Sequence, residues 1–276
     1  MTEAKNILLT GASAGIGKAT AKLLLARGHR VWGSSRSRDR LVELDGLHPL
    51  ELDLQDSTSI AKAMAQGLEQ SGGFDVVINN AGNGIWGPVE ALTTDEERQQ
   101  FQVLVFGPMQ VIRATLPAMR ARGGGLIINV TSLAAEFAVP FLGTYSAAKA
   151  AMGSLSWALQ MELQGQATHV VDLRPGDICS KFHEQMTFSR NVLPEYQENL
   201  DRAFAVYKNN MRAAPAPERV AERIDALVAS RPGQYRTVAV GKAFQARIAP
   251  FLARFAPTAL LRWSTSRYFN LRSRRS

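Results

Sequence analysis

Short apolar runs alternate with longer amphipathic ones along this chain, and that alternation restricts it to few architectures. Seven segments read as strands, at 6–10, 30–34, 49–52, 75–79, 125–131, 169–173 and 237–240. Helical periodicity lies between them, at 15–27, 38–45, 56–70, 95–121, 145–164 and 217–230. Val76-Val-Ile78 and Leu126-Ile-Ile128 are continuously apolar, as strands covered on both faces should be. Strands that alternate with helices predict βαβ units. The expected fold is α/β: a single doubly wound, Rossmann-type sheet of about seven parallel strands with helices on both faces. Residues 1–240 should form it, with a mobile insertion at 181–214 and an extension at 241–276.

Composition narrows the function classes. A chain of 276 residues with 46% hydrophobic and 20% charged residues is an ordinary globular protein. It has no apolar run long enough for a transmembrane helix. The N-terminus leads straight into an apolar strand without a signal-peptide pattern. Cys179 is the only cysteine, which excludes an intrachain disulfide and argues against a cysteine-based metal site; no metal is expected. A reducing, cytoplasmic setting is the simplest fit. The net charge of +8 is local: residues 241–276 hold eight basic residues and no acidic one, leaving 24 basic against 24 acidic in residues 1–240.

The segment from Asn6 to Lys18, NILLTGASAGIGK, runs from a strand through a glycine turn into a helix. Gly11 suits the turn, Gly15 admits a pyrophosphate, and Gly17 allows close helix–strand packing. The helix N-terminus, with Ser13 and Ile16 in the turn, then offers N–H groups to phosphate. Dinucleotide binding is the expectation; a merely tight loop is the alternative. A second pair stands out in TYSAAKAA at 144–151, where Tyr145 and Lys149 are four residues apart. Residues so spaced are neighbours on a helix. They are either incidental polar residues on a solvated face or a phenol and an ammonium held together for proton transfer.

Six motifs in order carry a resemblance: TGASAGIG (10–17), LDL (52–54), NNAG (79–82), Ser132, Tyr145 with Lys149, and RPG (174–176). With its Gly-x3-Gly-x-Gly spacing, the chain resembles the short-chain dehydrogenase/reductase family over at least residues 5–240. The resemblance implies an oxidoreductase in which Tyr145 is the general acid/base. Ser132 would hold the substrate oxygen, with Thr131 a competing candidate one residue away. Lys149 would also hydrogen-bond the nicotinamide ribose. A free phenol has a pKa near 10, and Lys149 together with an oxidised nicotinamide should favour the phenolate. By the same resemblance Asn80, Ala81 and Gly82 pack against the adenine ribose, and Asp53, with Leu54, contacts adenine. An exposed turn aspartate is the alternative for Asp53. Pro175, Gly176, Ile178 and Ser180 line the carboxamide.

The second strand ends Val31-Trp-Gly-Ser-Ser-Arg36. A carboxylate there would select NAD. Ser35, Arg36 and nearby Arg38 instead favour the 2′-phosphate of NADP(H), with NAD(H) the less favoured cofactor. Ala14 stands where many NADP-preferring relatives carry a basic residue. One motif is broken: the asparagine that usually completes the catalytic group falls at Leu104, and a leucine cannot hold a relay water.

Residues 181–214 fall where the family places a substrate lid. Phe182, Met186, Phe188, Leu193, Tyr196, Phe204, Tyr207 and Met211 make the segment rich in large apolar side chains, with Phe137 and Phe141 adding to the same wall. They suit a small lipophilic alcohol or ketone, or else are ordinary packing of lid helices. His183 reads as a surface residue. In the extension, Phe244, Ile248, Phe251, Leu252 and Phe255 approach one helical face, which Pro250 and Pro257 interrupt. Such a segment suits peripheral contact with an anionic membrane, or packs on the lid or a partner subunit. RSRR at 272–275 supports only weak, nonspecific nucleic-acid binding. By resemblance the chain is a homodimer or homotetramer paired through 95–121 and 145–164. The alternatives are a cofactor-binding sensor or scaffold with little turnover, and a membrane-peripheral lipid-metabolising reductase.

Overall fold

The computed structural model describes residues 3–41, 43–180, 186–230, 237–242 and 255–272. Its elements begin with β1 (Asn6–Leu9), α1 (Gly15–Ala26), β2 (Arg30–Ser35), β3 (His48–Glu51), α2 (Ser57–Ser71) and β4 (Val76–Asn79). Next come β5 (Ile85–Trp86), α3 (Thr94–Phe101), α4 (Gly107–Ala121), β6 (Gly125–Val130), α5 (Gly143–Glu162) and β7 (Thr168–Pro175). The chain continues through β8 (Thr187–Phe188), α6 (Pro194–Arg212), α7 (Glu218–Ala229), β9 (Thr237–Val240) and α8 (Thr258–Tyr268).

The main sheet is wholly parallel, in the order β3-β2-β1-β4-β6-β7-β9. Its strands are the seven expected, with ends shifted by at most two residues. Each face of the sheet is covered by apolar side chains. Ile7, Leu9, Ile78 and Ile128 pack with Leu24 of α1 and with Val220, Ile224 and Leu227 of α7. Leu8, Val77 and Ile127 pack with Ile60 and Met64 of α2, Val111 and Ile112 of α4, and Met152 of α5. Strand order reverses between β1 and β4, so a crevice opens at their carboxyl ends, where ligands gather in such sheets.

Local chemistry sets the helix ends. Asp56 accepts the Thr58 N–H at 2.9 Å to start α2, and Gly72, at φ 68°, ends it. Thr93 and Glu96 cap α3 reciprocally.

Two expectations need correction. The helix at 38–45 is only a 3-10 turn, Arg38–Leu41; Gly46, at φ 77°, turns the chain into β3 soon after. The helix at 95–121 is interrupted by a π turn, Gln102–Phe106. Pro108 accounts for it: proline has no N–H, and its ring crowds the carbonyl four residues back, that of Leu104. The segment at 181–214 is built from a short strand and a helix. Residues 181–185 lie outside the described ones, but β8 pairs with β5, and α6 runs for 19 residues. Trp86 sits against Phe204 and Tyr207 of α6, each at 5.3 Å between ring centres.

The extension also packs inward. Asn210 of α6 donates to the Tyr268 hydroxyl at 2.8 Å, and Asn199 exchanges two hydrogen bonds with the Arg272 backbone, at 2.8 and 3.1 Å. Phe269 is buried with Trp86, Leu142 and Ala203. Of the apolar face expected at 244–255, Phe244, Ile248, Phe251 and Leu252 lie outside the described residues, and Phe255 is exposed.

The contact of α1 with the turn before it is the tightest the sequence anticipated. A Cβ on Gly17 would lie 2.0 Å from the Gly11 carbonyl oxygen and 2.7 Å from Asn80 Nδ2. Gly17→Ala should therefore lower stability by about 1–3 kcal/mol, the usual cost of overpacking. Thermal unfolding of the parent and variant checks this; an unchanged midpoint would mean that the helix can move aside at no cost.

Candidate active site

The glycine turn is a cradle that side chains would fill. Gly11 and Gly15 have φ of 71° and 51°, a region that favours glycine. A Cβ on Gly11 would lie 2.8 Å from Ala81 Cα. Thr10 Oγ1 accepts the N–H groups of Asn80 and Ala81, each at 3.0 Å, and the Asn80 amide donates to the carbonyls of Thr10 and Gly11 at 3.0 and 3.2 Å. At the start of α1, Ala14 offers no side-chain cap and the first turn carries no acidic residue. That leaves the first N–H groups for an anion. The residues present thus fit a dinucleotide pyrophosphate.

A cavity of about 1130 Å³ runs from this turn across the carboxyl ends of the strands. The residues expected to hold the cofactor and to act on the substrate line it together: Gly11, Ser13, Gly15, Ile16, Gly17, Ser35, Arg36, Asp53, Leu54, Asn80, Ala81, Gly82, Ser132, Tyr145, Lys149, Pro175, Gly176, Ile178 and Ser180. At the end of β2 the arginines divide. Arg36 and Arg40 line the cavity, whereas Arg38 Nη2 donates to Gln66 Oε1 at 3.2 Å. Arg40 was not anticipated, because the helix expected at 38–45 would set its direction differently. The Asp53 carboxylate accepts the Gln55 N–H at 2.9 Å, an aspartate turn, and the half-buried residue lines the cavity wall.

At the other end stand Ser132, Tyr145 and Lys149. Ser132 Oγ accepts the Ala134 N–H at 3.1 Å, capping a turn, and also hydrogen-bonds with the Tyr145 hydroxyl. Thr131 is turned into the sheet, where its hydroxyl donates to Asp172 and, at 3.3 Å, to the Leu173 carbonyl. That leaves Ser132 as the hydroxyl beside the phenol. Lys149 is 6% exposed; its Nζ donates to the Val130 carbonyl at 2.8 Å and lies 5.8 Å from the centre of the Tyr145 ring. Leu104 is buried against the same spot. A Cβ built on Gly82 would lie 3.0 Å from Leu104 Cδ2 and 3.9 Å from Lys149 Nζ, so an isobutyl group stands where an amide was expected.

Burial sets the charge state of both groups. Burial pushes Tyr145 up to about 12, with the Ser132 hydrogen bond opposing it. Burial also pushes the Lys149 ammonium down to about 8, with the Asp172 charge opposing it. At neutral pH the Tyr145 phenol is therefore protonated. Tyr207, on α6, is pushed up by burial and by the proximity of Tyr145 and Asp177, so a second phenol stands near the first.

The apolar wall is built differently from the sequence expectation. Of the aromatic and large apolar residues anticipated there, Tyr207, Met211 and Phe137 line the cavity. Phe188 and Phe204 instead meet edge-to-face at 5.1 Å between ring centres, Met186 and Leu193 are only partly buried, and the Tyr196 hydroxyl donates to Glu90 at 2.6 Å. Phe141 joins Trp86 and Leu142 in the cluster beneath α6; Phe182 lies outside the described residues. The missing part comes from α8 and the turn after it: Leu260, Leu261, Tyr268 and Phe269. Pro257 and the apolar run after it announce a helix, but nothing local announces that it returns to the site.

The chain matches the family model described as short chain dehydrogenase over residues 5–190. It is 33% identical over 233 residues, 84% of this chain and 86% of the relative, to a 3-ketodihydrosphingosine reductase of Bacteroides thetaiotaomicron. Among solved structures it resembles a short-chain dehydrogenase from Streptomyces avermitilis, with a TM-score of 0.80 and 28% identity over 98% of each chain. It also resembles the closed form of a serine dehydrogenase complexed with NADP+, with a TM-score of 0.75 and 26% identity over 88% of this chain and 97% of that one. A doubly wound sheet, a glycine cradle at its switch point and a Ser132–Tyr145–Lys149 cluster across the same cavity agree with these likenesses: the chain belongs to the short-chain dehydrogenase/reductase family.

Proposed function

We propose that the protein reduces the carbonyl of a lipophilic ketone with NADPH, Tyr145 giving the proton. The observation that carries this reading is the hydrogen bond of Ser132 with a phenol that burial keeps protonated, beside a buried lysine, in one cavity with the glycine cradle. Ser132 and Tyr145 hold the carbonyl oxygen. As negative charge develops on that oxygen, Tyr145 transfers its proton to it. NADPH, when bound at the glycine cradle, supplies the hydride. Lys149, fixed by the Val130 carbonyl, would hold the cofactor's ribose. Gly11, Ser13, Gly15, Ile16 and Gly17 take the pyrophosphate, Asp53, Leu54, Asn80, Ala81 and Gly82 the adenosine side, and Pro175, Gly176, Ile178 and Ser180 the carboxamide. Arg36 and Arg40 take the 2′-phosphate beside Ser35. From α6 and α8 the cavity receives Tyr207, Met211, Leu260, Leu261 and Tyr268, with Asn210, Ser264 and Thr265 among them, a mixed wall that suits a long chain bearing polar groups near its carbonyl; the likeness to a 3-ketodihydrosphingosine reductase supports such a ketone.

Two features extend this reading. Phe106, Leu155, Trp157 and Met161 leave large apolar surface exposed on the π turn and α5; it supports pairing of two or four copies through these helices. Phe255, Leu260 and Trp263 are 71%, 51% and 59% exposed beside Arg262 and Arg267, over the helix that walls the cavity. That surface favours a peripheral reductase that takes its substrate at an anionic bilayer. No described helix is long and apolar enough to cross a membrane. The rival reading, a cofactor sensor with little turnover, draws on Leu104.

The function is tested by following NADPH absorbance with long-chain ketones. Tyr145→Phe should lower turnover by at least ~10²-fold, the contribution of a general acid, while NADPH still binds. Binding without turnover in the parent, across a ketone series, would favour the sensor. For the cofactor, Ser35→Asp with Arg36→Ala should shift preference from NADPH toward NADH by at least about tenfold; a parent that binds NADH more tightly would overturn the arginine argument. For the bilayer, the parent should sediment with phosphatidylglycerol vesicles and not with phosphatidylcholine ones. Replacing Leu260 and Trp263 by serine should abolish that, and equal sedimentation of the variant would exclude α8 as the contact.

A further inference from the structure

Behind the site lies a cluster of charges that the reaction does not touch. Asp172, on β7, is 2% exposed, and a buried carboxylate needs partners. Arg174 Nε donates to its Oδ2 at 2.7 Å, and Thr131 donates to Oδ1. Arg174 also bridges to Glu136. One guanidinium between two carboxylates leaves a negative charge over.

The helix that carries Lys149 packs directly on this cluster. Gly153 lies one turn beyond Lys149 on α5, and a Cβ there would be 3.3 Å from Asp172 Oδ2 and 3.4 Å from Arg174 Nη2. Glycine is what lets α5 come so close. In the sheet Asp172 pairs with Asn129 and Leu173 with Val130, the residue whose carbonyl receives Lys149. Around the Lys149 ammonium, the Val130 carbonyl of β6 accepts its bond and the Tyr145 ring of α5 lies 5.8 Å away, while Leu104 of the π turn shares the space beside Gly82. The Asp172 carboxylate of β7, packed against the same helix one turn on, acts on the ammonium through space, without an ion-pair contact, and has Arg174 and Glu136 behind it.

We propose that Asp172 is a positioning residue for Lys149: its carboxylate supplies the negative charge that keeps the lysine an ammonium and oriented toward the site. Leu104 makes this necessary, because the apolar side chain desolvates the ammonium and offers it no acceptor. Arg174 sets how much of the charge Lys149 feels. The inference rests on the reading of Tyr145 and Lys149 as an acid and its neighbour, and its test separates the two.

The test uses the full chain and two variants with opposite expected signs. Asp172→Asn keeps the shape and removes the charge, so Lys149 should lose its proton at lower pH by about one unit or more. Arg174→Gln leaves both carboxylates uncompensated, so the shift should be upward. Nitrogen NMR of the lysine side chains, with Lys149→Met to assign the signal, reads the titration directly and needs no turnover. The alkaline limb of the pH–rate profile for ketone reduction should move in the same directions. A Lys149 titration that stays put in both variants would overturn the proposal, even with a lowered melting temperature, and would leave Asp172 a structural partner of Arg174. Opposite NMR shifts in a protein that reduces no ketone would support the electrostatic link while removing the reading of the reaction. If Asp172→Asn does not fold, Arg174→Gln alone decides, by an upward shift or none.

Discussion

Thr10 and Asn80 tie the end of β1 to the end of β4, and the rest of the site is hung from that tie. Four hydrogen bonds of 3.0–3.2 Å join them across the point where strand order reverses. Each partner satisfies backbone groups of the other, so the crevice is held open by bonds and not by bulk. The space that a side chain at Gly11 or Gly17 would need is already taken. From β4 the register runs to β6, which brings the Val130 carbonyl and Ser132 to the same edge. Lys149 binds that carbonyl and so docks α5, with Tyr145 one turn earlier, at a fixed height above the sheet.

What could be read from the sequence was what local chemistry specifies. Val76, Val77 and Ile78 have no polar neighbour to turn outward, and a strand buried on both faces follows. Gly11, Gly15 and Gly17 mark places where a side chain has no room. Tyr145 and Lys149 fall together because helical spacing puts them there. Other features depend on contacts between distant segments. Thr131 and Ser132 are nearly equivalent in sequence, and only Asp172, across the sheet, turns one of them away. The π turn had a local cause in Pro108, but the helical periodicity around it hid the break. Arg38 and Arg40 exchange roles because a 3-10 turn replaces a helix. The wall supplied by Leu260, Leu261 and Tyr268 was unreadable, since α8 owes its position to Asn199 and Asn210 on α6.

The departure at Leu104 shows how a site can change one part and keep its outline. The leucine fits against Gly82 and closes the space beside Lys149. An ammonium there has lost solvent and gained one carbonyl and the distant charge of Asp172, which desolvation outweighs, so its pKa falls to about 8. Below that pH the charged lysine opposes folding, because the unfolded chain solvates it fully. The opposition fades as pH rises from about 8 toward 10.5, where only the unfolded state still holds the proton. The protein thus keeps a destabilising charge inside the cavity that the glycine cradle opens into, and such local costs are common at functional sites.

The position of α8 in the chain has a consequence for how the molecule is made. Synthesis runs from the N-terminus, and structure forms as the chain emerges. The glycine cradle, Tyr145 and Lys149 are all in place in sequence well before Val240 completes the sheet. Leu260, Tyr268 and Phe269 follow later still. A nascent chain therefore passes through a stage with a finished nucleotide-facing half and an open apolar flank, in which Tyr207 and Met211 lack the cover of α8. Exposed apolar surface of that kind is what chaperones bind and what drives aggregation, so the flank stays open until α8 has been made.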